Sequence, residues 1–232
     1  MTYRLHYAPD NASLIIRLAL EELGAPYETQ LVNRVEDAQQ SAAYLRLNPN
    51  GLIPTLETPQ ATLFETGAIL LWLADTHGAL APGPDTAARG DFLKWLFFLS
   101  NTVHAEMRML FYPQKYIGDD AAHQTALRAG LQKSLAAHLQ KLERLASAGH
   151  AWFAAPAPSM LDLYVATLLR WLALYPKEGA RWFSLSDTPH LYRLASQVEC
   201  RASVQAAIKA EGLGPTPFTQ PAYATPPEGS AT

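Results

Sequence analysis

The chain of 232 residues carries 18 Lys and Arg against 21 Asp and Glu, for a net charge of −3, and 49% of it is hydrophobic. That length allows one large domain or two small ones with a sizeable core. The slight acidity argues against a general nucleic-acid binder. A single cysteine, Cys200, excludes an intrachain disulfide, a CxxC redox pair and a cysteine-rich zinc site. The seven histidines are scattered without HxxxH or HExxH spacing, so no metal is expected. No apolar stretch is long enough to span a bilayer. The opening residues, Met1 to His6, lack a basic segment followed by an apolar signal run. The expectation is a cytoplasmic protein with no membrane and no nucleic-acid partner.

Residues 2 to 7 alternate, with Tyr3, Leu5 and Tyr7 on one face, and read as a strand. Ser13 to Leu23 has apolar residues at helical spacing and stops at Gly24. Tyr27 to Val32 reads as a second strand, parallel to the first across this β-α-β unit. Gln39 to Leu47 is a weaker helix. Thr55 to Glu57 and Ala61 to Phe64 flank the turn Thr58-Pro59-Gln60 and read as a hairpin. Thr66 to His77 is a helix ending at Gly78. Residues 79–86 are a Pro/Gly-rich break and read as a linker.

Beyond that break the strand signals fade. Ala87 to about Tyr112 is one long apolar helical pattern, and Asp119 to Ala148 is another with more polar positions. Ser159 to Leu174, Pro189 to Glu199 and Ala202 to Glu211 are further helices. Ser159 and Asp162 have the spacing of a helix-capping box. From Gly212 to residue 232 the chain is rich in Pro, Gly and Thr and reads as an extended or disordered tail. No repeat at solenoid spacing is visible.

The most informative stretch is Asn48-Pro49-Asn50-Gly51-Leu52-Ile53-Pro54-Thr55-Leu56, followed by Phe64-Glu65-Thr66-Gly67-Ala68-Ile69. A proline within a strand signal belongs at an edge, a strand start or a bend. Two readings of Ile53-Pro54 stand. A cis bond turns the Ile53 backbone outward toward a ligand; a trans bond makes an ordinary turn that feeds an edge strand. A helix opening at Glu65-Thr66 offers unpaired N–H groups to a carboxylate.

These two motifs resemble the glutathione site of the glutathione S-transferase family. The resemblance covers about residues 3 to 210. It implies an α+β protein with a thioredoxin-like N-terminal domain (β-α-β-α-β-β-α) over residues 1–78. An all-α domain over 87–211 follows the linker and binds the acceptor. It implies glutathione as co-substrate and no metal. The residue before a cis proline, Ile53 before Pro54, pairs with the cysteinyl backbone, and Glu65 with Thr66 holds the γ-glutamyl end. The implied activity is transfer of glutathione, as thiolate, to a small electrophile in detoxification. The rivals are a peroxidase acting on hydroperoxides, a specialised isomerase, dehalogenase or ether-cleaving enzyme, and a non-catalytic glutathione-binding module. The family also implies a homodimer.

A free thiol near pKa ~8.5 is mostly protonated at neutral pH, so a donor must stabilise the thiolate. Tyr7-Ala8-Pro9-Asp10-Asn11-Ala12-Ser13 joins the first strand to the first helix and is the place for it. Ser13 either faces sulfur from the helix start or caps the helix. Tyr7 is either a second donor or a buried strand aromatic. Asn11 is a third donor or satisfies the loop backbone. The segment resembles the bacterial beta-type branch, which has a cysteine immediately before the serine. Ala12 stands there, so no mixed disulfide with glutathione forms at that position. His104 matches a beta-type histidine that lines the glutathione cleft; its alternative is a core or interface histidine. Phe111, Tyr112 and Tyr116 are either acceptor pocket or core. Trp152-Phe153, Trp171 and Trp182-Phe183 are expected in packing, and Cys200 as an inert helix residue.

Overall fold

A computed structural model describes residues 2–177 and 182–225. β1 (Tyr3–Tyr7), α1 (Ser13–Glu22), β2 (Tyr27–Leu31), α2 (Ala42–Leu45), β3 (Thr55–Glu57), β4 (Thr62–Phe64) and α3 (Thr66–His77) follow in chain order. They build a four-stranded sheet in the order β2-β1-β3-β4. β1 and β2 are parallel, with Leu5 opposite Thr29. β1 and β3 are antiparallel, with Leu5 opposite Leu56, and β3 turns back into β4. This is the thioredoxin-like arrangement expected.

Helix α1 is buried along its whole first eight residues, Ser13 to Leu20. It is covered by the sheet and α3 on one side and by two later helices, Met160–Leu174 and Ala202–Glu211, on the other. A helix enclosed in that way tolerates apolar residues all round. The helix expected over Gln39–Leu47 shrinks to α2, preceded by a 3-10 turn at Ala38–Gln40. Tyr44 is its one buried residue, too little apolar surface to support more turns.

The rest is helical: α4 (Arg89–Phe98), α5 (His104–Phe111), α6 (Gln114–Ile117), α7 (Ala121–Ser147), α8 (Met160–Leu174), α9 (Pro189–Glu199) and α10 (Ala202–Glu211). The single pattern expected from Ala87 to Tyr112 is two helices, joined by a π-helical turn at Leu99–Val103. Tyr112 leaves the helical conformation and Pro113 follows, which stops α5. Cys200 caps the end of α9 and is exposed.

Every residue of α8 from Met160 to Leu172 is buried, so this helix is the axis of the helical part. Its polar residues are therefore paired. Asp162 accepts from the Ser159 N–H and the Ala154 N–H, both at 2.7 Å, and the Ser159 hydroxyl accepts from Leu161 N–H at 3.2 Å. Burial pushes the Asp162 carboxyl up to about 6, against the pull of those bonds. The Leu80 carbonyl, between α3 and α4, accepts from Met160 N–H at 2.8 Å and ties the connection to the head of α8.

Residues 212–225 form no helix or strand, yet they are not a loose tail. Leu213, Phe218 and Ala224 are buried in the core. Arg170 of α8 donates to the carbonyls of Leu213, Pro217 and Ala222 at 3.3, 3.0 and 2.8 Å. The anchor is a buried cation that composition alone does not reveal. Residues 226–232 of the expected tail lie outside the described residues.

Candidate active site

A cleft of about 400 Å³ opens where the β1–α1 loop, the turn before β3 and the head of α3 meet α5, α6 and α8. Each wall has a local cause. On the turn, the Asn48 amide donates to the Leu52 carbonyl at 2.8 Å and its carboxamide oxygen accepts from Asn50 N–H at 3.0 Å. The Tyr44 hydroxyl donates to that same Leu52 carbonyl at 2.7 Å. Gly51 has φ +59, a left-handed conformation that glycine adopts without strain, and a Cβ there would press on the end of the Gln40 side chain at 2.5 Å. The Ile53-Pro54 bond is cis, and both residues line the cleft.

Glu65 precedes α3 at φ 69 and ψ 115, a conformation that costs a non-glycine residue about 1–3 kcal/mol. Its carboxylate makes no capping bond to the helix; Glu65, Thr66 and Gly67 instead line the cleft. First-turn N–H groups have no partner within a helix, and here that turn borders a cleft. A Cβ on Gly67 would approach Ser100 at 3.3 Å, so the small residue lets α3 lie against the π-helical turn. Such turns recur at functional sites, and this one delivers Ser100 and His104 to the cleft.

His104 lines the cleft with Nδ1 2.8 Å from the Tyr164 hydroxyl and its ring tilted against Trp171 at 5.4 Å between centroids. Burial, with the nearby Arg108 guanidinium, pushes its pKa down to about 4, so it is neutral at pH 7. Burial and then the Glu65 charge raise the Tyr164 hydroxyl well above its ordinary value, so it stays protonated.

The β1–α1 loop is held from a distance. Asp10 is fully buried at φ 52. Its carboxylate accepts two bonds from Arg170, at 2.8 and 2.9 Å, one from the Trp171 indole at 2.9 Å and one from the Tyr175 hydroxyl at 2.7 Å. Asp10 N–H donates to Glu211 at 2.9 Å, and Glu211 accepts from Arg17 at 2.7 Å. The loop conformation thus depends on α8, α10 and α1 together.

The expected sulfur donors divide at this loop. The Ser13 hydroxyl is fully buried and turned back on the loop, where it donates to the Ala8 carbonyl at 3.2 Å and accepts from Ala8 N–H at 3.3 Å. Ser13 is not among the lining residues, nor is Tyr7, whose ring lies under the Arg17 guanidinium at 4.7 Å. Asn11 and Ala12 do line the cleft, at the start of α1. The Asn11 carboxamide oxygen accepts from Ala12 N–H at 2.9 Å, so its NH2 is the donating end of that side chain. The structure therefore brings together Asn11, Ile53, Pro54, Glu65, Thr66 and His104, and leaves Ser13 and Tyr7 outside.

Sequence reasoning missed several members. Asp10, Arg34, Lys115 and Tyr164 line the cleft, as does Trp171, which was expected only in packing; Arg108 lines it too, on the helix face that its spacing of four shares with His104. One signal was available: Arg170 interrupts a run of apolar residues, and a charge in a buried helix demands a partner. Phe111 and Tyr112 line the cleft, whereas Tyr116 stands beside it, exposed, in contact with Arg108. Among the described residues no group of acidic, His or Cys side chains is placed to hold a metal, and no helix is long and apolar enough to cross a membrane.

A thioredoxin-like sheet joined to a helical domain, with a cleft at the junction, defines the class. The model of the glutathione S-transferase N-terminal domain matches residues 12–76, and that of the C-terminal domain matches residues 125–194. A glutathione S-transferase of Xanthomonas campestris pv. campestris, GST-4.5, is 32% identical over 219 residues, covering 90% of this chain and 99% of that one. Glutathione S-transferase GstA of Escherichia coli O157:H7 is 27% identical over 215 residues, with 90% and 99% covered. The structure of a sphingomonad glutathione S-transferase complexed with glutathione superimposes with a TM-score of 0.74 at 31% identity, covering 91% of this chain and 100% of that one. The chain belongs to the glutathione S-transferase family.

Proposed function

We propose that this cleft binds glutathione and stabilises its thiolate for attack on a small electrophile. The observation that carries the reading is convergence. The turn at Ile53-Pro54, the carboxylate and helix head at Glu65-Thr66, and the start of α1 at Asn11-Ala12 all border one cleft. Glutathione presents an ammonium and a carboxylate at its γ-glutamyl end. Glu65 suits the first and the N–H groups at the head of α3 suit the second. The extended cysteinyl backbone pairs with that of Ile53 and places sulfur toward the β1–α1 loop.

Sulfur activation falls to Asn11 and to the positive end of α1, in place of the Ser13 and Tyr7 hydroxyls. Both favour an anion at that corner. The thiol proton leaves to solvent, the thiolate forms the carbon–sulfur bond, and the leaving group departs with its electron pair. Because Ala12 is not a cysteine, the protein contributes no sulfur of its own in this loop. His104 contributes a neutral imidazole to the same wall and is positioned by Tyr164.

A homodimer, a cytoplasmic location and a role in detoxification belong to the same reading. Family resemblance supports all three, and the 53% exposure of Phe97 on α4 fits a covered surface in an assembly. Light scattering of the purified protein tests the dimer. Glutathione calorimetry tests the site. We expect Glu65→Ala to weaken binding about tenfold or more, the worth of one charge-assisted contact. Unchanged affinity in that variant, or no binding to the wild type, overturns the reading.

A further inference from the structure

We propose that the α5–α6 wall of the cleft selects an acceptor that carries a carboxylate on a planar, apolar body. The inference rests on the glutathione reading and adds the class of the second substrate. Arg108 on α5 and Lys115 on α6 both line the cleft. Among the described residues neither forms an ion pair with a carboxylate. Each meets a neutral tyrosine instead: Arg108 donates to the Tyr116 hydroxyl and lies over that ring at 5.6 Å, and Lys115 lies over Tyr112 at 5.1 Å from the centroid. Such stacking holds the cations at the wall without neutralising them. Phe111 and Tyr112 supply an apolar and aromatic surface on the same wall.

Glutathione does not use up this charge. Its γ-glutamyl end is matched at Glu65-Thr66. Its remaining carboxylate is matched by Arg34, which enters from the loop after β2 and donates to the Tyr112 hydroxyl at 3.1 Å. Of the acids in the lining, Asp10 is spent on Arg170, and Glu65 stands at the head of α3. His104, one turn before Arg108, feels that guanidinium and is held neutral, so it adds no charge. Arg108 and Lys115 are left as a pair of cations beside an aromatic surface, which is the complement of an aryl carboxylate.

The test uses binding, so it does not depend on turnover. Two S-aryl conjugates of glutathione are titrated by calorimetry: one made from a chlorodinitrobenzoate, the other from its methyl ester. Glutathione itself is titrated alongside. The wild type is expected to bind the carboxylate conjugate about tenfold more tightly than the ester, as a charge-assisted contact in a partly solvated site would give. In Arg108→Gln/Lys115→Gln that preference should disappear, while glutathione affinity changes less than twofold. Equal wild-type affinity for the two conjugates, with glutathione still bound, overturns this inference and leaves the glutathione reading standing. A double variant that weakens glutathione as much as the conjugate also overturns it, because the two cations then serve glutathione. Failure of the wild type to bind glutathione overturns the parent reading and this one with it.

Discussion

The turn from Asn48 to Pro54 and the loop from Tyr7 to Ser13 border the same cleft but are built by different means. The first is largely self-contained: Asn48 bonds Leu52 four residues on, and Tyr44 bonds Leu52 eight residues on. The second is set by partners far away in sequence. Asp10 meets Arg170 at a separation of 160 residues and Glu211 at 201. A locally determined segment declares its conformation in a short motif. A remotely determined one does not, because the partner that fixes it looks like an unrelated core residue until the chain is folded.

The comparison breaks most readily at the remote partner. Arg170→Ala leaves the Asp10 carboxylate buried without its cation and should cost about 3–5 kcal/mol of stability. Urea unfolding reads that loss. A loss under 1 kcal/mol would mean that the loop holds its shape without α8.

Next in size is the contrast between two neighbours on the loop. Asn11→Ala removes the donor that lines the cleft and should lower kcat about a hundredfold, the scale seen when one anion-stabilising donor is deleted. Ser13→Ala should lower kcat far less and cost about 1 kcal/mol of stability, because its hydroxyl closes the loop on Ala8. Steady-state kinetics and unfolding of the two variants give the comparison. The reverse order of effects on kcat would return the thiolate to Ser13.

The smallest effect concerns pH. The folded value of His104, about 4, lies below the ordinary 6.5 of an unfolded histidine. The unfolded chain therefore binds the proton more readily, and the folded state loses stability as pH falls from 6.5 toward 4. Between pH 6 and 9 the ring stays neutral and imposes no limb on the activity profile. Histidine NMR titration checks this, and a His104 resonance titrating above pH 6 would contradict it.

Much of the fold was legible because periodicity and caps are local. Gly24 and Gly78 stop α1 and α3 as read, and Ser159 with Asp162 opens α8. The cleft was legible where motifs carry it: Ile53, Pro54, Glu65, Thr66 and His104 all line it. The orientation of the Ser13 hydroxyl was not legible, because Ser13 begins a helix. A hydroxyl at that place points to sulfur or back to the loop by a single χ1 rotation, and Ala8 captures it. The π-helical turn at Leu99–Val103 was invisible too, since it carries no glycine or proline to break the helix in the sequence. The packed segment after Gly212 was hidden for the same reason as Asp10: both are fastened by Arg170, a charge buried inside α8.

The claim at the centre of this account is that Asn11 and the head of α1 lower the thiol pKa of bound glutathione. Ultraviolet titration of the thiolate in the binary complex measures it directly. The account predicts a value at least one unit below the ~8.5 of a free thiol, and a return toward that value in Asn11→Ala but not in Ser13→Ala. A bound thiol that titrates like the free one, or a shift that survives Asn11→Ala and vanishes in Ser13→Ala, would contradict it.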